Sequence, residues 1–538
     1  MSAVVQFPPD VERVLALKTV RDATARGHFL AAVREYGRDG AAFTLERLGA
    51  LMALDEHFHV LLLYDQLEFL RTPTPGSEDD RDFALNIQRI CLEAANGFQR
   101  YLRHRNAWAT TREGLDVMFR VTGLALHAIH SFVKWGYFLN EPGRSAPWKQ
   151  LHALYLLADA DGYAHIPFVL HPSQPSFKPT VQSLYLRTLL LDLLNTGNLT
   201  KIQIEIADGW LSSWSNDYAL ESEFVPRRYL FFVDVASDSG LHLMRKDSHG
   251  EAMRFVAADA IKAQLAEVQA GLRHGRLYAG YGAGAVFPVE QHVALLAIIE
   301  KLYDAILSGE ENRIEERTHF EDREVDVTTG IDRVIAKILE GPAAPASAAP
   351  AESAGGVSMM DTIEITPSGL SLVSTEGGPG GEAASPVDPE VERWRVHDLS
   401  SKGFGLVVDR GQAEGVLLNG LMAIRNQETG GWIVGSVVRK LANRVRGEML
   451  VGIEVLAYRP IAVDIVPGGE GSPLQALYVP GLDTNGKADA LIVRAADFGR
   501  GNAFVLEAGG ARYRIRLNRI IKKGADWVLA RFEIASKA

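Results

Sequence analysis

Cysteine is almost absent from this sequence, because Cys91 is the single one among 538 residues. One cysteine cannot form a disulfide within the chain, and so the fold does not depend on an oxidising compartment. Cys91 shares an apolar helical face with Ile87, Ile90 and Ala94, which indicates a core residue rather than a reactive thiol. We therefore expect the protein in the cytoplasm.

Long apolar runs are also missing. No stretch reaches the roughly 18 consecutive apolar residues of a membrane-spanning helix. The opening residues, MSAVVQFPPD, lack the basic head and apolar run of a secretory signal. The sequence thus predicts neither a membrane span nor export, which agrees with a cytoplasmic location.

Basic residues are fewer than acidic residues in this chain. The chain has 56 Lys and Arg residues against 67 Asp and Glu residues, a formal net charge of −11. A chain of this sign is not drawn as a whole to nucleic acids or to anionic membranes, since both repel it at long range. We expect no nucleic-acid partner.

Catalytic and metal-binding signatures are lacking as well. The chain has no phosphate-binding glycine–lysine loop, no Gly-x-Ser-x-Gly elbow and no Cys/His zinc cluster. His57 and His59 are two residues apart in the sequence, so a helix directs their side chains to different faces. We expect no catalytic residues, no metal and no cofactor. An enzyme in the helical region, for instance a hydrolase, remains an alternative that would need converging polar residues in a pocket.

What the sequence does contain is, first, a long helical region. Apolar residues recur at spacings of three and four in stretches such as 48–70 and 114–139, which is typical of buried helix faces. We predict a helical domain over residues 1–225. A mixed α/β segment follows over residues 226–312.

The second half is rich in β patterns and is interrupted once. Residues 313–340 form a connector, a strand and a helix, and residues 341–390 are rich in Ala, Gly, Pro and Ser, which predicts a flexible linker. Closely spaced strands follow over 391–462 and again over 463–538. The predicted fold class is multidomain α+β: a helical N-terminal region, a small antiparallel barrel and further C-terminal β structure.

Two polar motifs flank the predicted linker. Before it stands Arg313-Ile-Glu-Glu-Arg317, followed by the strand REVDV; after it stands Asp398-x-Ser400-x-x-Gly403, followed by GWIVGSVVRK and MLVGIEVLAYRP. This order resembles the PilZ family of bacterial cyclic di-GMP receptors over about 313–340 and 391–462. The resemblance implies a split barrel, in which the strand at 323–327 pairs with strands beyond residue 391.

The resemblance also implies a set of ligand-binding residues. Arg313 and Arg317 would grip the dinucleotide, because a guanidinium can fork onto a phosphate or a guanine edge and can stack on a base. Asp398 and Ser400 would hydrogen-bond the ligand, chiefly a guanine. Gly403 would allow a backbone conformation or a close approach that a Cβ atom would block.

The implied function is a non-enzymatic cyclic di-GMP effector. Ligand binding would reorient the helical region by a population shift and so relay the signal to an unidentified protein partner. The family's usual outputs are motility, pili, exopolysaccharide and biofilm. The alternative is a scaffold or assembly protein with a PilZ-like barrel that binds no nucleotide, in which Arg313 and Arg317 are held in ion pairs far from Asp398.

Overall fold

The structure is a computed structural model of the chain. It divides into two compact units, Met1–Arg313 and Ile314–Ala538. The residues that it describes are 7–38, 42–72, 78–110, 112–141, 146–194, 197–225, 228–244, 250–257, 259–277, 282–307, 318–320, 323–340, 391–400, 403–425, 431–443, 445–468, 472–480, 490–498, 503–508 and 511–537.

The first unit begins as a helical assembly. Its helices are α1 (Pro9–Leu15), α2 (Ala23–Gly37), α3 (Leu45–Arg71), α4 (Glu78–Arg103), α5 (Arg112–Phe138), α6 (Trp148–Ala160), α7 (Val181–Leu194) and α8 (Lys201–Trp214). Helix α8 starts with a capping box, in which the Thr200 side chain accepts from the backbone N–H of Gln203 and the Gln203 side chain accepts from that of Thr200. Helices α2 and α4 approach closely, since a Cβ on Gly37 would lie 2.8 Å from the Cα of Gly97.

A small sheet and two more helices complete this unit. The strands β1 (Ala219–Glu221), β2 (Phe231–Asp234), β3 (His242–Leu243) and β4 (Met253–Ala257) pair antiparallel in the order β1-β4-β2-β3. Helices α9 (Asp259–Arg273) and α10 (Val289–Leu307) follow. One apolar core joins the helices to the sheet, with Leu189, Trp210 and Val233 among its buried side chains.

The second unit opens with a closed antiparallel barrel. Its elements are β5 (Thr318–His319), β6 (Glu324–Thr329), α11 (Ile331–Glu340), β7 (Glu392–Ser400), β8 (Gly403–Asp409), β9 (Leu421–Arg425), β10 (Trp432–Asn443) and β11 (Glu448–Ala457). Six described strands close in the order β7-β6-β9-β10-β11-β8, and β5 adds to β7. We call this the first barrel.

The predicted split of the barrel is confirmed. Strand β6 lies before residues 341–390, yet it pairs with β7, where Val325 is opposite Trp394, and with β9, where Val327 is opposite Ile424. Val325, Val327 and Trp394 are all buried in the barrel core. The predicted linker at 341–390 lies outside the described residues.

The C-terminal β structure is a second closed barrel. It consists of β12 (Ile461–Pro467), β13 (Leu474–Val479), β14 (Ala490–Arg494), the short helix α12 (Ala495–Phe498), β15 (Ala503–Ala508), β16 (Ala511–Lys523) and β17 (Trp527–Lys537). The six described strands close in the order β12-β13-β14-β17-β16-β15. Val334 of α11 is buried with side chains of both barrels, including Leu421 and Trp527. The predicted fold class is confirmed.

Among the described residues, no helix combines the length and the apolar character required to cross a bilayer.

Candidate functional site

The hairpin of β7 and β8 carries three of the predicted site residues. Asp398 and Ser400 lie at the end of β7, and Gly403 begins β8 directly opposite Ser400. The Ser400 hydroxyl donates to the Gly403 carbonyl oxygen over 3.4 Å, a long contact. The structure therefore brings Asp398, Ser400 and Gly403 together at one corner of the first barrel, which we call the β7–β8 corner.

The side chain of Asp398 is buried against a glycine of the neighbouring strand. The relative exposure of Asp398 is 6%. It lies opposite Gly405, where a Cβ atom would come within 2.8 Å of the Asp398 carboxylate. Because Gly405 has no side chain, the carboxylate can fold back over the neighbouring strand. The glycine that makes room for this acid was not singled out from the sequence.

Close packing of the backbone requires a glycine at position 403. A Cβ atom at this position would lie 2.1 Å from the carbonyl oxygen of Ile453 on β11. Real Cβ atoms do not come so near a backbone oxygen, so only glycine allows β8 and β11 to pair here. The predicted close approach is present, and its partner is the neighbouring strand.

The predicted arginines, Arg313 and Arg317, lie outside the described residues. The chain that follows them is described and runs along β7. Thr318 is opposite Leu399 and His319 is opposite Asp398. The Phe320 N–H donates to the His397 carbonyl oxygen over 3.1 Å. Thr318, which follows Arg317 in the sequence, is thus paired with β7 beside the β7–β8 corner.

Two histidines at this corner were missed by sequence reasoning. The rings of His319 and His397 lie 5.3 Å apart between centroids. One ligand atom from each of His319, His397 and Asp398 lies within 4.8 Å of the others. No spacing rule could have found this trio, because His319 and His397 stand on opposite sides of the predicted linker and meet only through strand pairing.

A second polar cluster lies inside the helical unit. The Lys134 ammonium contacts Glu205 over 3.0 Å and Asp208 over 2.8 Å. Asp208 also accepts from Arg187 over 2.6 Å and contacts the His130 ring over 2.8 Å. All five side chains are buried. We call this set the buried ion network; the sequence shows no motif that predicts it.

Within the buried ion network, the positive and negative charges stabilise one another. Burial alone would raise the pKa of Asp208, but Arg187, Lys134 and His130 together hold that pKa well below its usual value. Burial would likewise lower the pKa of Lys134, yet Asp208 and Glu205 raise it. The charges thus satisfy one another in the interior, which is the arrangement of a structural network.

Comparison with known proteins gives one result on the helical unit. Residues 14–225 match the family model described as cyclic-di-GMP receptor FimW, N-terminal domain. No curated protein and no solved structure matches the chain. The match covers α2 to α8 and does not extend to the barrels. The helical region is therefore similar to the N-terminal domain of a cyclic di-GMP receptor, and this similarity supports a receptor for that nucleotide.

Proposed function

We propose that this protein is a cytoplasmic, non-enzymatic cyclic di-GMP effector of the PilZ type. The observation that carries the proposal is the register of β5 on β7, which sets Thr318 opposite Leu399 and His319 opposite Asp398. Thr318, the residue that follows Arg317 in the sequence, therefore pairs beside the Asp-x-Ser-x-x-Gly corner, which supports a contribution of the arginine motif to the site. The receptor family that matches residues 14–225 independently supports the same ligand.

The nucleotide would be held from two sides. Arg313 and Arg317 would contact its phosphates or the O6/N7 edge of a guanine, since a guanidinium offers paired donors for both. Asp398 would accept from the guanine N1–H and N2–H₂ groups. A buried carboxylate is a strong acceptor because the low local dielectric strengthens its hydrogen bonds. Ser400 adds a hydroxyl, and cyclic di-GMP is the only ligand required, with no cofactor.

The helical region would carry the output. The arginine motif lies in the connector between α10 and β5, so ligand contacts that favour one position of this connector would shift the populations of the region joined to it. An unidentified protein partner would bind the helical region and read that shift. The outputs proposed are those of the PilZ family: motility, pili, exopolysaccharide or biofilm control.

Isothermal titration of the full chain with cyclic di-GMP tests the proposal. Arg317→Ala and Ser400→Ala should abolish micromolar or tighter binding. The matched control is Arg393→Ala on the same strand, β7, whose side chain is 77% exposed and faces Asp326 rather than the corner. The control should bind as the parent does.

Two results would contradict the receptor proposal. One is the absence of both binding heat and thermal shift at high ligand concentration, which would favour the scaffold alternative. The other is equal loss of binding in Arg393→Ala, which would show a general charge effect. If binding is present, a pull-down with the full chain, with and without nucleotide, tests for a partner that depends on the ligand.

A further inference from the structure

The trio His319, His397 and Asp398 has an arrangement that nucleotide binding does not require. The two imidazoles are exposed and the carboxylate is buried, so the cluster is open on one side and anchored on the other. Within the described part of the chain, neither imidazole has a hydrogen-bond partner. Because both histidines are exposed, a ligand from solution can reach the cluster from that side.

Strand geometry explains how His397 and Asp398, which are consecutive residues of β7, both contribute to the cluster. Neighbours on a regular strand point to opposite faces of the sheet. Here the pairing with β8 steps from Val396 opposite Leu406 to Asp398 opposite Gly405, which leaves His397 as the extra residue of a β-bulge. A bulge re-aims side chains and is common beside functional sites.

The third member comes from the added strand. His319 on β5 is directly opposite Asp398, and directly opposed residues share one face of a sheet. The absent Cβ of Gly405 leaves the room that the Asp398 carboxylate occupies. The pairing of β5 with β7, the bulge at His397 and the missing Cβ of Gly405 together bring the two imidazoles and the carboxylate close to one another.

We propose that His319, His397 and Asp398 bind a divalent transition-metal ion, with Zn²⁺ as the representative case. Two imidazole nitrogens and one carboxylate oxygen are ligands that Zn²⁺ accepts, whereas Mg²⁺ and Ca²⁺ prefer oxygen. Tetrahedral bonds of about 2.0–2.2 Å set ligand atoms roughly 3.4 Å apart. Small rotations of the exposed rings close the present separations of up to 4.8 Å. A water molecule completes the coordination.

A metal ion at this corner would differ from the expectation from sequence that the chain holds none. It does not depend on cyclic di-GMP, because the ligands come from the chain alone. Asp398 would serve both the ion and the nucleotide, which makes the β7–β8 corner a place where metal could modulate the proposed receptor.

The test is a metal titration of the full chain without a histidine tag, after treatment with a chelator. Co²⁺ reports binding by its visible absorbance, and Zn²⁺ affinity is measured by competition with a chromophoric chelator. We expect one site in the parent chain. His319→Ala and His397→Ala should each weaken it at least about tenfold, since loss even of groups behind the ligands commonly costs 10–100-fold. Both residues are exposed, so circular dichroism should show an unchanged fold.

The matched control is His28→Ala, which removes an exposed histidine from α2 and should leave the affinity unchanged. Absence of binding in the parent, or equal affinity in the parent and both cluster variants, would overturn the proposal. X-ray absorption of the parent with Zn²⁺ gives a readout that needs no variant. Two imidazoles in the spectrum support the site, and fewer than two contradict it.

Discussion

The helical unit and the first barrel bury charge in different ways. In the helical unit, Asp208 is surrounded by Lys134, Arg187 and His130, so opposite charges compensate each other. In the first barrel, the Lys440 ammonium is buried and donates to two backbone carbonyl oxygens, those of Ala413 over 3.2 Å and Val416 over 2.6 Å. A network of opposite charges tolerates burial, whereas a buried ammonium that donates to peptide carbonyl oxygens without a paired carboxylate in contact is easier to neutralise.

The two regions also differ in what solvent can reach. The buried ion network is enclosed, so its polar groups act on the fold. At the β7–β8 corner, the imidazoles of His319 and His397 are exposed beside the buried Asp398. Polar groups that face both the interior and the solvent can bind a ligand with a fixed geometry. The enclosed network therefore acts on the stability of the fold, whereas the corner, which solvent can reach, is where we propose that ligands bind.

The largest expected effect comes from Asp208→Asn. The change leaves Lys134 and Arg187 buried without their shared carboxylate, and breaking a buried ion pair in this way costs about 3–5 kcal/mol. Urea unfolding followed by circular dichroism measures the loss. Asp159→Asn on α6 is the control, because Asp159 is exposed and should change stability little. A loss below about 1 kcal/mol for Asp208→Asn would contradict the structural role of the network.

The second-largest expected effect is a loss of stability of the first barrel in Gly403→Ala. The added Cβ would meet the Ile453 carbonyl oxygen at 2.1 Å, and overpacking of this kind costs about 1–3 kcal/mol or more. Gly411→Ala is the matched control, since a Cβ there meets nothing within 4 Å. Its backbone is already helical, so the control should be neutral or slightly stabilising. Thermal unfolding of both variants is the measurement, and equal midpoints would contradict the packing argument.

Lys440 should make the barrel's stability depend on pH. Burial lowers its pKa to about 8, with Glu414 opposing the shift. An unfolded lysine holds its proton to about pH 10.4, so the unfolded state binds more protons between these values and stability rises with pH. We expect a gain of about 1.5 kcal/mol from pH 8 to 9.5 that Lys440→Met lacks.

The variant is needed because Lys201 in the helical unit has its pKa lowered to about 8 as well, through burial. Subtracting the pH profile of Lys440→Met from that of the parent isolates the barrel lysine. Urea unfolding at each pH provides the free energies. Parallel profiles would show that the ammonium is not destabilised in the folded barrel.

The smallest expected effect is competition at the corner. If Zn²⁺ and cyclic di-GMP both engage Asp398, each should weaken the other by the same factor, because coupling between two ligands is reciprocal. We expect a several-fold rise in the nucleotide's Kd at saturating Zn²⁺, measured by isothermal titration. His319→Ala should remove the effect of Zn²⁺. An unchanged Kd in the parent would mean that the two ligands do not share the carboxylate.

Much of the fold could be predicted from the sequence. Apolar spacing of three and four marks helices such as α3 and α5, because a buried helix face must repeat with the helical period. Alternating residues and turn signals likewise mark the strands of both barrels. The pairing of β6 across residues 341–390 was predicted only through the PilZ resemblance, and the register confirms it.

Local pattern determined the helices, the strands and the polar residues of the Asp398–Gly403 corner, since each depends on residues near in the chain. Tertiary structure alone decided the rest. His319 meets Asp398 because two distant strands pair, and His397 joins them because one residue bulges from the ladder. Lys134 meets Asp208 because separate helices pack. Such contacts follow from register and packing, which depend on the whole core and not on any short stretch of sequence.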